Sequence, residues 1–104
     1  MKSSKIYNFG ELAGRLYELE KGKSYKFIYD ENYKGSSISQ TIPISQREFE
    51  YTEFPPFFDG LLPEGSQLEN LLRQTKTDRN DFFSHLVIVG GDLVGAITVE
   101  EENE

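Results

Sequence analysis

The sequence predicts an α+β fold: one small domain with an antiparallel or mixed β-sheet and two or three short helices inserted before the last strand. Two observations predict it. Apolar residues recur with period two in the first half and at helical spacing in the second half, before a final apolar run. A chain of 104 residues is long enough for one core and too short for two.

The first half begins with a short alternation at Lys5–Phe9 and then contains two runs that predict a β-hairpin. The first of these runs covers residues 12–19. The turn-like residues 20–23 follow, and then Ser24–Asp30, which places three aromatic side chains on one face with period two. Two such runs around a turn are typical of paired strands.

Two further extended segments are predicted before the middle of the chain. Ile38–Ile44 is rich in β-branched residues, but Pro43 removes a ladder donor and indicates an edge strand or a strand end. Glu48–Thr52 alternates acids with aromatics and predicts a short strand. Four serines before, within and after the first of these strands make a hydroxyl-rich region that could accept phosphate: Ser36, Ser37, Ser39 and Ser45.

Two helices are predicted in the second half. Ser66 followed by Glu69 fits a capping box, and the leucines after Ser66 lie at helical spacing. Residues 77–80 offer a cap for a second helix, which Gly90 is expected to end.

The chain is predicted to finish with a strand and a tail. Leu93–Val99 is apolar on both faces, which favours a position inside the sheet. The acidic residues 100–104 are expected to form a frayed, solvated tail, so the domain is assigned to residues 1–99.

Phe54–Gly65 is the most unusual stretch, with three Phe, two Leu, three Pro and two Gly in twelve positions. Pro and Gly forbid a long regular element, yet the segment is too apolar for a solvated loop. It therefore either closes the core of its own domain or offers rings to another protein. The residues alone leave both interpretations open.

Little in the sequence points to catalysis, a cofactor or a metal. There is no Cys, and the single histidine, His85, cannot form a conventional zinc site alone, so a structural role is expected. Asp59 and Glu64 are interpreted as caps or surface acids, and the glycine-rich 90–95 leads into a strand where a phosphate loop would lead into a helix. The sequence therefore predicts a protein that is not an enzyme, with no catalytic, cofactor-binding or metal-binding residue.

Charge and hydropathy predict a soluble, cytoplasmic protein. A net charge of −7 argues against direct nucleic-acid binding and favours basic protein surfaces. There is no apolar run of membrane-spanning length and no signal-peptide pattern.

Four motifs together resemble a known family. Phe57–Gly65 resembles the Phe-Phe-x-x-Leu-Leu-Pro-Glu-Gly signature of the N-terminal subdomain 1 of HipA-family serine/threonine kinase toxins. Gly10–Leu16, Ile38–Ile44 and Gly91–Ile97 resemble three other segments of that subdomain, in the same order. The resemblance covers nearly the whole chain.

The resemblance implies a partner. The ATP-binding and catalytic motifs of HipA-like kinases lie in a larger core, for which this chain has no counterpart, so no catalytic residue can be carried over. A free-standing version of the subdomain is similar to the HipS antitoxins of three-part HipBST systems, in which the kinase HipT lacks it. The implied function is an antitoxin that binds and neutralises a HipT-like kinase, and a DNA-binding HipB-like protein is a possible third member. The alternative is a non-inhibitory subunit that completes a split kinase.

The kinase-contacting residues are predicted to come from the signature segment, with Phe58 and Leu61 facing inwards and a proline-rich lip facing outwards. The predicted set is Phe54, Pro56, Phe57, Phe58, Asp59, Leu62, Pro63 and Glu64.

Overall fold

A computed structural model, which describes residues 2–93 and 95–102, shows five strands and three helices in these residues. The strands are β1 (Lys2–Asn8), β2 (Glu11–Glu20), β3 (Ser24–Tyr29), β4 (Glu48–Tyr51) and β5 (Ile97–Glu102). The helices are α1 (Pro56–Asp59), α2 (Gly65–Thr75) and α3 (Phe82–Val89), all between β4 and β5. The strands form one antiparallel sheet in the order β4-β3-β2-β1-β5. The α+β prediction is confirmed.

The predicted hairpin is present between β2 and β3. Leu16 pairs with Phe27, and Phe27 pairs in turn with Phe49 of β4. Since alternate residues of a strand share a face, this row places apolar side chains on the side of the sheet that the helices cover. Leu16 and Phe27 are fully buried, and Phe49 is half-buried at the edge. The strand predicted at Glu48–Thr52 is also confirmed, with its acids exposed and its aromatics half-buried.

The predicted strand over Ile38–Ile44 is wrong. This segment forms a tight turn with one isolated bridge, between Ser39 and Ile42. The hydroxyl group of Tyr29 donates to the carbonyl of Ile42 and accepts from the amide of Ile38 at 3.0 Å. Ile38 and Ile42 are buried, so their β-branched side chains contribute to the core as part of a loop.

Both predicted helices exist, but their caps differ from those expected. The first begins at Gly65 with Glu64 as the N-cap residue and lacks a side-chain cap hydrogen bond, so the capping box of Ser66 and Glu69 does not form. The second is capped by Asp81, whose carboxylate accepts from the amide of Ser84 at 3.2 Å. Residues 77–80 form the turn before that cap.

The last strand lies at an edge of the sheet and begins later than predicted. Among the strands of the described residues, β5 pairs only with β1. On its other side the amide of Val99 donates to the carbonyl of Gly90 at 2.9 Å, so the end of α3 covers part of the outer edge. A Cβ at Gly90 would overlap with the carbonyl oxygen of Val99, which explains the need for glycine at this close approach. The predicted strand began at Leu93 and included Val94, which lies outside the described residues.

The acidic end was expected to be frayed, but Glu100, Glu101 and Glu102 belong to β5. Glu102 accepts hydrogen bonds from the Nε of Arg15 at 3.0 and 3.2 Å, and from the hydroxyl group of Ser3 at 3.0 Å. The hydrogen bond from Arg15 lowers the pKa of Glu102 and outweighs the opposing effect of burial. The last strand therefore continues to Glu102.

The Arg15–Glu102 pair gives a pH-dependent prediction. Because the pKa of Glu102 is lower in the folded protein than the unfolded value of about 4.3, folding favours its ionised form. Glu102→Gln should lower the free energy of unfolding at pH 7 by about 1 kcal/mol, since the pair is only partly buried. The deficit should shrink as the pH falls below about 4.3 and through the folded pKa.

Urea denaturation at several pH values measures this difference. Glu101→Gln is the matched control, because Glu101 is the exposed neighbour on the same strand. An equal loss in both variants, or no pH dependence, would contradict the assignment.

Candidate functional site

The Phe54–Gly65 segment folds around a single helical turn. Pro55 is the N-cap residue of α1 and Pro56 its first residue, a position where a missing amide costs nothing. The amides of Asp59 and Gly60 donate to the carbonyls of Pro55 and Pro56, each at 3.0 Å. The chain therefore reverses within a few residues, which separates inward-facing from outward-facing side chains.

Two of the predicted contact residues point into the core. Phe58 is fully buried, with its ring centroid 5.9 Å from that of Phe27. Phe54 is 8% exposed and packs edge-on against Tyr25 at 5.4 Å. Neither ring can reach a partner from this position, because each fills space between the sheet and the helices. The prediction that Phe58 lies inside is correct, whereas the placement of Phe54 and Phe58 in a contact surface has to be corrected.

The other six predicted residues remain accessible. Pro56, Asp59 and Glu64 are exposed, whereas Phe57, Leu62 and Pro63 are half-buried. The Phe57 ring lies edge-on to Phe58, with centroids 5.1 Å apart, and Phe57 stays half-buried. We call these six residues the lip: Pro56, Phe57, Asp59, Leu62, Pro63 and Glu64.

A groove of about 630 Å³ runs beside the lip. Leu62 and Pro63 belong both to the lip and to its wall. The remaining lining residues come from the start of the α1–α2 connection, from α2, from the end of α3 and from the connection between α3 and β5: Gly60, Leu61, Gln67, Asn70, Leu71, Gln74, Val89, Asp92 and Leu93. Four of the lining residues are leucines, and amide side chains of α2 supply polar groups. This combination suits an apolar segment of another protein that also carries hydrogen-bonding groups.

Helix α2 explains why the groove is open. Every residue of this helix is exposed or half-buried, including Leu68, Leu71 and Leu72, which share its apolar stripe. An isolated helix of 11 residues is marginal in water, so it depends on packing of that stripe. The domain covers the stripe only in part.

Polar contacts that are separate from the groove fix the N-terminal end of α3. His85 is 1% exposed, and its Nε2 lies 2.9 Å from the carbonyl oxygen of Asp78, so this nitrogen donates to that carbonyl. Partial burial raises the pKa of Asp81, but hydrogen bonds from the hydroxyl group and amide of Ser84 outweigh it, and the pKa is lowered overall. His85 thus has the structural position that the sequence predicted.

The serine-rich connection has mixed accessibility. Ser36 and Ser45 are exposed. The hydroxyl group of Ser37 accepts from the amide of Ile44 at 2.8 Å, and that of Ser39 lies 2.9 Å from Thr41. Phosphorylation of this connection stays a prediction.

Within residues 2–93 and 95–102, no group of three or more His, Asp or Glu side chains is arranged to hold a metal ion. In the same part of the chain, every helix is too short or too polar to cross a membrane.

The sequence did not reveal the groove. Leu68, Leu71 and Leu72 signalled an amphipathic helix, but not that its stripe would stay half-covered. Val89 and Leu93 come close to α2 only through the tertiary fold. The one signal that pointed here was the apolar excess of the Phe54–Gly65 segment.

Comparison with known proteins gives consistent results. A family model described as the HipA N-terminal domain matches residues 4–100. An uncharacterised protein of Haemophilus influenzae is 31% identical over 104 residues, covering 100% of this chain and 96% of that protein. A solved structure described as the N-terminal domain of HipA toxin superposes with a TM-score of 0.78 at 28% identity, covering 100% of this chain and 95% of the other. The similarity is to the N-terminal subdomain of HipA and not to its kinase catalytic domain.

The neighbouring rings of Phe57 and Phe58 should behave differently when truncated. Phe58→Ala should lower the free energy of unfolding by about 3–5 kcal/mol, because it leaves a cavity beneath α1. Phe57→Ala removes a half-buried ring and should cost about 1 kcal/mol. Thermal and urea denaturation of both variants measure this; equal losses would mean that the inward and outward assignments are wrong.

Proposed function

Because this chain belongs to the HipA N-terminal domain family, we propose that it is an antitoxin that binds a HipT-like serine/threonine kinase toxin and neutralises it by direct contact. The observation that carries the proposal is the match to the HipA N-terminal domain over residues 4–100. Membership makes the chain a component of a HipA-type toxin–antitoxin system with protein partners. We place this function in the cytoplasm.

Two features support action as a separate subunit. The Haemophilus influenzae relative consists almost entirely of this domain, since the match covers 96% of its length. The groove beside the lip has leucine side chains that the domain covers only in part. Apolar surface of this kind beside rigid rings is typical of protein interfaces.

The mechanism we infer is occlusion of the kinase. The apolar lip residues Phe57, Leu62 and Pro63 would supply the desolvated centre of an interface of about 1,600 Å². Asp59 and Glu64 stand exposed beside them and would face basic groups that the kinase uses for ATP or substrate. A HipB-like protein would supply DNA binding in a ternary complex, because a chain of net charge −7 is poorly suited to bind phosphate itself.

The direct test is phosphoryl transfer by a cognate HipT-like kinase, with and without an excess of this protein. Suppression of transfer together with a stable complex on gel filtration is the expected result. Unchanged or raised transfer in the same complex would instead mean a subunit that completes a split kinase. Failure to form any complex would contradict both functions.

Neutralising the acids of the lip should weaken the complex. Asp59→Asn combined with Glu64→Gln should raise the Kd about tenfold at low salt, mainly through slower association, and the deficit should shrink at high salt. Glu20→Gln combined with Glu31→Gln is the matched control, because it makes the same charge change at exposed sites outside the lip. Equal weakening by both pairs would reflect overall charge and would contradict a role for the lip.

A further inference from the structure

The turn between β1 and β2 carries a residue that the turn itself disfavours. Asn8 pairs with Glu11, which leaves Phe9 and Gly10 as a two-residue connection. Both have positive φ, 51° for Phe9 and 81° for Gly10. This is the geometry of a type I′ turn, in which Asn-Gly is the favoured pair. Glycine suits it, whereas a bulky aromatic side chain at positive φ is strained.

Packing of the Phe9 ring within its own domain does not offset that strain. Phe9 is 82% exposed, the highest value among the large apolar residues that the structure leaves exposed. The backbone beneath it is firmly held, because the amide of Phe9 donates to the carbonyl of Ala96 at 3.0 Å. The neighbouring Asn8 is buried, and its side chain donates to the hydroxyl group of Tyr33 at 3.0 Å. The turn therefore presents an aromatic ring to solvent from a fixed base.

We propose that Phe9 is a second anchor for the partner, inserting its ring into an apolar pocket on the kinase toxin. The inference rests on the proposed function and extends its interface beyond the signature segment. Strained residues held by the surrounding structure are typical of functional sites, and exposed aromatic rings are typical anchors of interfaces.

The position of Phe9 connects it to the groove. Ala96, its hydrogen-bond partner, lies in the connection between α3 and β5, and the same connection supplies Asp92 and Leu93 to the groove wall. The proposed interface extends from the groove along this connection to the turn.

Charge indicates what surrounds the partner's pocket. Glu11 follows the turn directly and is exposed, as is Asp92 in the adjacent connection. A pocket rimmed by Lys or Arg complements these acids. A second copy of this chain fits less well, because its own acids would approach the same acids here.

The test is Phe9→Asn, which gives the turn its preferred residue and removes the ring. The melting temperature of the free protein should rise by about 4 °C or more, because the strain is relieved. The Kd for the HipT-like kinase should rise about 30-fold in titration calorimetry, the loss expected for an interface anchor. A gain in stability with a loss of affinity cannot come from damage to the fold.

Two further variants make the test specific. Leu19→Asn also removes an exposed apolar residue, 45% exposed, from the opposite end of β2, and should leave the Kd unchanged. Phe9→Tyr keeps the ring and should keep the affinity.

A wild-type complex that Phe9→Asn leaves at full affinity would overturn this inference and leave the proposed function intact. A melting temperature that falls on Phe9→Asn would also overturn it, by showing that the ring stabilises the fold. The absence of any complex with the wild-type protein would mean that the proposed function had failed and this inference with it.

Discussion

Contact between Phe58 and Phe27 is the interaction on which the rest of the site depends. Phe27 lies fully buried in β3, and Phe58 reaches it from the single turn of α1. Because α1 has only four residues, it cannot hold its position by its own hydrogen bonds. The buried ring fixes it, and the outward direction of the lip residues follows. Phe27 and Phe58 thus contribute to the core and also fix the position of the lip at the surface.

Local patterns predicted the elements well where one face was buried or half-buried. The aromatic alternation of β3 and the leucine spacing of α2 identified both, because burial imposes period two on a strand and a helical period on a helix. The predictions were wrong where contacts with residues distant in sequence determine the local structure. Ile38 and Ile42 look like strand residues, but the hydroxyl group of Tyr29 binds their backbone and holds a loop. Glu102 looks like tail, but Arg15 of β2 holds it in the sheet.

The candidate site was likewise predictable only in part. Composition and the family signature pointed to the Phe54–Gly65 segment, and Phe58 was correctly predicted to face inwards, but the burial of Phe54 was not predicted. Phe54 is buried because its ring packs against Tyr25, which lies far from it in the sequence. The groove and Phe9 were beyond prediction, because the first arises between elements remote in sequence and the second depends on a backbone angle. The apolar side chains that the sheet contributes to the core are buried, whereas the apolar stripe of α2 is covered only in part.

The most direct measurement of this account is amide hydrogen exchange, compared between the free protein and its complex with a HipT-like kinase. Binding at the lip and groove should slow exchange in the Phe54–Gly65 segment and in α2, and leave the β2–β3 turn unchanged. Slowed exchange confined to that turn or to the face of the sheet opposite the helices would contradict the placement of the interface. Unchanged exchange throughout the chain would contradict binding itself.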